Sequence, residues 1–220
     1  SGPALYAGGL FTSAGGVPAN RIARWNGSTW SALGSGMSDI VNTLKVFDDG
    51  SGPKLFAGGN FISAGGQTVY RVARWNGSSW SGLSAPGTGL PGQVDVLAVH
   101  DDGSGPALYA GGQFDIDETV NKIARWTGSG WAELQRGVSD AVISMATFDG
   151  GEGPLLYVGG PFSALDYTAS HTVWGLATWN GSSWSAVGSG VNDYVTSLMA
   201  FDDGSGPALY AGGNFTIASG

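Results

Sequence analysis

The sequence predicts an all-β fold, a β-propeller built from four-stranded units about 50 residues long. Three observations predict it. A set of phrases returns along the chain at a nearly constant spacing. Each copy holds four short strand-like segments divided by turn residues. The composition, with 40 Gly, 9 Trp and no Cys in 220 residues, suits many short strands and tight turns.

The repeat is read directly. The phrase Gly-Pro-Ala-Leu-Tyr-Ala-Gly-Gly, Gly2 to Gly9, returns with small changes, and its aromatic falls at Tyr6, Phe56, Tyr109, Tyr157 and Tyr210, at spacings of 50, 53, 48 and 53 residues. A second phrase, Ala-Arg-Trp-Asn-Gly-Ser-x-Trp, places its first Trp at Trp25, Trp75, Trp126 and Trp179 and its second at Trp30, Trp80, Trp131 and Trp184. A third, Phe-Asp-Asp-Gly-Ser-Gly-Pro, runs from Phe47 to Pro53 and from Phe201 to Pro207, with variants at His100 to Pro106 and Phe148 to Pro154. The chain forms a single propeller domain or propeller segment, with units at about 1–36, 37–88, 89–137, 138–190 and 191–220, the first and last incomplete.

The second unit shows the four strands in order. Strand a, Val41 to Phe47, is apolar and β-branched, as strands favour. The Asp-Asp-Gly-Ser-Gly-Pro turn follows. Strand b, Lys54 to Phe61, carries the pair Gly58 and Gly59, where the missing side chains admit a neighbouring backbone or a Trp. After a loop of variable length comes strand c, Arg71 to Asn76. Asn76 and Gly77 then turn the chain, both residue types tolerating positive φ. Strand d is Ser79 to Leu83, and a Gly-Ser connection leads onward. One such sheet cannot bury both faces, but stacked sheets can. Ile22 and Trp25 point to opposite faces by alternation, and both read as core. A β-helix or open solenoid is the alternative, and the hairpin turns and long period argue against it.

The order Leu-Tyr-x-Gly-Gly-x-Phe, Ile-Ala-x-Trp, Trp-x-x-Leu-Gly resembles kelch-type propeller blades. A nearer resemblance is to the repeats of fungal cortical polarity markers and their bacterial relatives, matched by Tyr-x-Gly-Gly-x-Phe-Thr-x-Ala-Gly-Gly at Tyr6 to Gly16. It covers essentially the whole chain and implies a propeller in an extracellular setting. It carries over no catalytic residue, because such families share a scaffold and not one chemistry. Two units depart from the pattern: the third reads Asp115-Ile116-Asp117-Glu118 where others have Ala-Gly-Gly, and the fourth has a longer loop, Ser163 to Val173.

Charge and composition narrow the function. A net charge of −8 repels phosphate backbones and anionic membranes, so neither nucleic acid nor membrane is an expected partner. No apolar run approaches the roughly 18 residues of a spanning helix, and no signal peptide is visible. The absence of Cys excludes disulfides, thiolate metal sites and cysteine nucleophiles. Few charges with abundant Ser, Thr and Asn fit a secreted or cell-surface protein. The start at Ser1 fits a processed protein or a segment of a longer one.

The units provide four strands of type a, five of type b, four of type c and four of type d. The chain starts and stops at strand b, so its ends make a blade with one b strand too many. Three arrangements answer this: a segment of a larger propeller, a ring completed by another copy, or a small ring with one displaced strand. Unpaired terminal strands recruit partner strands, so a homo-oligomer formed by strand pairing is expected.

Residues with chemistry are few. Asp-x-Gly-x-Gly turns at the pairs Asp48-Asp49, Asp101-Asp102 and Asp202-Asp203, with Asp149 alone in the fourth copy, can bind calcium through carboxylates and carbonyls, but each turn holds too few carboxylates and an acidic turn explains them without metal. Asp115, Asp117 and Glu118 form a denser group, with Asp115 and Asp117 on one side of an extended segment, and are the candidate metal ligands. Calcium is the one cofactor candidate. The framework Trp pairs read as packing residues, whereas Trp174, Tyr167 and His171 stand outside the repeated phrases and are the candidate ligand contacts. Sequons at Asn26, Asn76, Asn180 and Asn214 are open to glycosylation in a secretory route, and three also serve hairpin turns. Of two histidines, His100 replaces the framework Phe and His171 has no partnered acid or nucleophile motif. No zinc spacing, phosphate loop or nucleophile elbow occurs. The expected function is a non-enzymatic extracellular scaffold for protein binding or self-assembly. The alternative is a lectin-like module that uses the divergent loops.

Overall fold

The computed structural model describes residues 4–83, 89–116, 121–165 and 173–219. Among these every regular element is a strand. The first repeat contains β1 (Leu5–Gly8), β2 (Ser13–Ala14), β3 (Val17–Pro18), β4 (Ile22–Trp25) and β5 (Trp30–Ala32). The second contains β6 (Val41–Asp48), β7 (Pro53–Gly59), β8 (Ser63–Ala64), β9 (Gln67–Thr68), β10 (Val72–Trp75) and β11 (Trp80–Gly82). The third contains β12 (Gln93–Asp101), β13 (Pro106–Gln113), β14 (Ile123–Trp126) and β15 (Trp131–Glu133). The fourth contains β16 (Ser144–Asp149), β17 (Pro154–Gly159), β18 (Leu176–Trp179) and β19 (Trp184–Ala186), and β20 (Gly190–Val191) follows it. The last repeat has β21 (Val195–Asp202), β22 (Pro207–Gly213) and β23 (Ala218–Ser219).

Three sheets have four strands in the order a-b-c-d: β6-β7-β10-β11, β12-β13-β14-β15 and β16-β17-β18-β19. The first repeat gives a three-stranded sheet, β1-β4-β5, and the last a two-stranded one, β21-β22. Pairing is antiparallel, with Tyr157 opposite Ala146 on one side and Thr178 on the other, and Trp179 opposite Trp184. The chain divides into two compact units, Ser1–Leu97 with Gly128–Trp131, and Ala98–Thr127 with Ala132–Gly220.

The turns follow from the repeated residues. Asp48 Oδ1 accepts the amides of Gly50 and Gly52, both at 2.9 Å. The two glycines supply φ of 90° and 92°, a region closed to most side chains. Asp101, Asp149 and Asp202 repeat this arrangement. At the c–d hairpin, Gly77 alone takes positive φ, while Asn76 Oδ1 accepts the amides of Ser78 and Ser79, each at 2.9 Å. The asparagine therefore acts as a side-chain cap for the turn and not through a left-handed backbone.

Strand c starts one residue later than expected because of a repeated backbone kink. Arg21, Arg71, Lys122 and Gly175 hold φ of 63°, 65°, 54° and 67° just before the strand. Each is fixed from both sides by strand b and its extension. The amide of Arg71 donates to Phe61 O at 3.1 Å, and Arg71 O accepts from Gly59 N at 3.0 Å. Arg21, Lys122 and Gly175 make the same pair of bonds. For the three non-glycine residues this conformation costs roughly 1 kcal/mol or more, which the two backbone bonds offset.

In the first unit the core gathers Ile22, Leu33, Val41, Phe61, Ala73 and Trp80 with their neighbours. Trp80 donates its indole N–H to Leu33 O at 3.0 Å, linking one repeat to the one before it. In the second unit Trp184 does the same to Leu134 O at 2.9 Å, and Leu176, Val191 and Val195 pack together. The Trp pairs stack at an angle, with centroids 5.5, 5.3 and 5.2 Å apart at Trp25–Trp30, Trp75–Trp80 and Trp179–Trp184.

Candidate functional site

Two surfaces stand out, one around Trp174 and one along the open edges of the first and last sheets. Trp174 lies immediately before the kink residue Gly175, a position held by Asn20, Tyr70 and Asn121 in the other repeats. Its backbone is locked in place, since Trp174 O accepts from Leu176 N at 2.8 Å and from Val191 N at 3.1 Å. The indole points outward and is 52% exposed. Beside it is a cavity of about 280 Å³ lined by Trp174, Ser189, Gly190, Val191, Asn192 and Ile217. A smaller hollow of about 70 Å³ touches Trp174, Phe162, Asp193 and Tyr194. Asn192 borders both but is committed: its Oδ1 accepts Thr216 N and Ile217 N at 2.8 and 2.9 Å, and its Nδ2 donates to Thr216 Oγ1. The arrangement offers an exposed aromatic plane with hydroxyl and backbone groups near it.

Of the sequence candidates, Trp174 is placed at this cavity, while Tyr167 and His171 lie outside the described residues. The sequence reading missed Tyr194 and Ile217, which are exposed beside Trp174. The signal was available: Tyr194 stands where Ile40 and Ala141 stand in other repeats, and Ile217 where Ser63 stands.

The metal candidates fare differently. Asp115 is ion-paired with Lys122 at 3.0 Å and accepts the Asn121 amide at 3.3 Å, so its oxygens already have partners. Asp117 and Glu118 lie outside the described residues. Among the described residues no three His, Asp or Glu side chains converge in a metal-binding group. In the Asp-Asp turns, the first carboxylate caps two glycine amides and the second is bound elsewhere. Asp49 takes the Ser51 hydroxyl, Lys54 at 3.1 Å and Arg74 at 2.9 Å. The Ser51 hydroxyl, with Lys54 adding to it against the effect of burial, holds its carboxyl down at about 2. Burial works to raise Asp102, but the Ser104 hydroxyl and the Tyr109 hydroxyl at 2.9 Å hold it below the usual carboxylate range, helped by Arg125. Burial and that acidic neighbour push the Tyr109 phenol up.

His100 takes the framework phenylalanine position at the end of a strand. It is buried, sits edge-on to Tyr109 at 5.7 Å, and its Nδ1 meets Thr147 Oγ1 at 3.2 Å. Burial drives its pKa below the ordinary value, against the pull of Asp102 and Asp101. A neutral, enclosed imidazole beside a tyrosine ring is a packing group.

At the two ends, equivalent positions change from buried to exposed. Phe47 and His100 are 7% and 2% exposed, whereas Phe201 in the last sheet is 51% exposed. Phe56 and Tyr109 are 1% and 0% exposed, whereas Tyr210 is 43%. Leu55 and Leu108 are 7% and 0% exposed, and Leu5 in the first sheet is 61%. Among the described residues β1 and β22 each pair on one edge only, to β4 and β21. A scan against protein-family models and a search of curated proteins find no match to this chain.

Proposed function

We propose that the chain is a non-catalytic extracellular scaffold, a kelch-like β-propeller whose end sheets assemble with further copies of the same repeat. The observation that carries this reading is the contrast between inner and terminal sheets. Positions buried in the second and third repeats are open at Leu5 on β1 and at Phe201 and Tyr210 on the β21-β22 pair, with Phe148 and Tyr157 of the fourth repeat half-buried. An open strand edge with an apolar face is a site for strand addition. The antiparallel a-b-c-d order of the full sheets supports the propeller assignment, because such sheets bury both faces only when stacked. The low charge fits an extracellular setting. Mass in solution, followed by light scattering across a concentration series, tests the assembly: a mass that grows with concentration supports it.

A second reading rests on Trp174. An indole 52% exposed beside a cavity of about 280 Å³ is a platform for stacking a sugar ring. Binding to a glycan array that is lost in Trp174→Ala supports a lectin-like role. Unchanged binding in that variant removes it.

A further inference from the structure

The first glycine of the pair that ends strand b has a consistent partner within the array. A Cβ built at Gly8 would lie 2.5 Å from Val41 Cγ1, at Gly58 2.7 Å from Val94 Cγ1, and at Gly159 2.7 Å from Val195 Cγ1. In each case the valine stands at the start of strand a in the next repeat, and it is at most 2% exposed. The glycine is therefore a slot and the valine its occupant. Polar groups reinforce the second of these junctions: Asn42 Nδ2 donates to Val94 O at 3.0 Å, and Thr43 Oγ1 accepts from Leu97 N at 3.1 Å.

The last repeat has the slot without the occupant. A Cβ at Gly212 would meet nothing within 4 Å. Around it Met199 and Phe201 are 58% and 51% exposed. Ser197 stands on β21 where Thr43 stands on β6, offering a hydroxyl at the corresponding position.

We infer that the outer face of the β21-β22 sheet docks a further unit of this repeat, with Gly212 receiving the valine that opens that unit's first strand. The occupant is specified by shape, since the slot fits a β-branched side chain entering edge-on, and by the three filled copies within the chain. This inference rests on the repeat-scaffold reading and adds which face, which residue and which side chain make the junction.

The test extends the chain after Gly220 with a copy of its own residues 67–113. The frame continues, because Gly213 to Gly220 align with Gly59 to Gly66. The added segment supplies strands c and d for the last sheet, then strands a and b carrying a copy of Val94. The chain has no cysteine, so Ser197→Cys, at the exposed position opposite Gly212 on β21, gives a single thiol on this face without adding a Cβ to the slot. In the original chain this thiol reacts with a maleimide at the rate of an exposed group. In the extended chain the reaction is expected to slow at least about tenfold, as for a group opened only by local unfolding. Changing the appended valine to alanine restores much of the rate. Equal rates in the original and extended chains overturn the inference. A second variant guards against a poorly folded extension. Gly212→Val is expected to leave the melting temperature of the original chain unchanged and to lower that of the extended chain by about 4 °C. Equal effects in both chains also overturn it. The concentration dependence of the unmodified chain's mass is a separate result, so a failure of assembly in trans is distinguishable from a failure of the slot.

Discussion

Trp80 donates its indole N–H to the carbonyl of Leu33, 47 residues earlier, at 3.0 Å, and both residues are buried. One bond thus ties strand d of the second repeat to the end of the first. Trp80→Phe removes the donor, while the carbonyl keeps its bond from Gly36 N at 3.3 Å, so the lost hydrogen bond costs about 0.5–1.5 kcal/mol. Trp30 is the equivalent residue in the first repeat and makes no such bond among the described residues. Trp30→Phe is therefore expected to cost less. Chemical denaturation of the two variants measures the difference.

The acidic turns depend on carboxylate oxygens as backbone acceptors. Asp48→Ala leaves the amides of Gly50 and Gly52 without their acceptor and is expected to destabilise by about 1–2 kcal/mol, whereas Asp48→Asn keeps an oxygen and loses less. Because these oxygens are already engaged, millimolar calcium is expected to leave the melting temperature unchanged. A rise with calcium that disappears in Asp48→Asn would contradict this account of the turn.

His100 makes the fold sensitive to acid. Its folded pKa lies below the ordinary value of 6.5 through burial, so the unfolded chain binds the proton more readily. Stability from this group is complete above about pH 6.5 and declines as pH falls toward the folded value. His100→Phe restores the framework residue and removes this contribution. Thermal melts from pH 7.5 to 5 are expected to show a smaller drop for the variant than for the parent. Parallel curves would contradict a buried neutral imidazole.

The kink before strand c explains where the sequence was silent. The repeated phrases made the four strands and their order legible, because alternating apolar residues and Asp-Gly or Asn-Gly turns have local signatures. The left-handed kink has none: Arg21, Arg71 and Lys122 are ordinary helix- and strand-compatible residues, and only Gly175 hints at the conformation. It is imposed by two backbone bonds to strand b. Gly175 has the further reason that a Cβ there would lie 2.8 Å from both Asp193 O and Val191 Cγ2. Gly175→Ala is therefore expected to cost about 1–3 kcal/mol, while Arg21→Gly costs much less. Unfolding midpoints of the two variants check this.

The site was legible in part for the same reason. Trp174 was visible as a break in the repeat, but Tyr194 and Ile217 became its neighbours only through the pairing of Val191 with Ala218, which no local pattern announces. At Asp115 the sequence shows a carboxylate without its partner. Lys122, seven residues on, takes that carboxylate once the kink turns the chain back.

The proposal that the exposed end sheets take up further copies of this repeat is tested most directly by light scattering behind size exclusion from low to high protein concentration. The account predicts a mass that rises with concentration, and a smaller rise when Phe201→Ser and Tyr210→Ser remove apolar surface from the last sheet. A monomer mass throughout the series contradicts it.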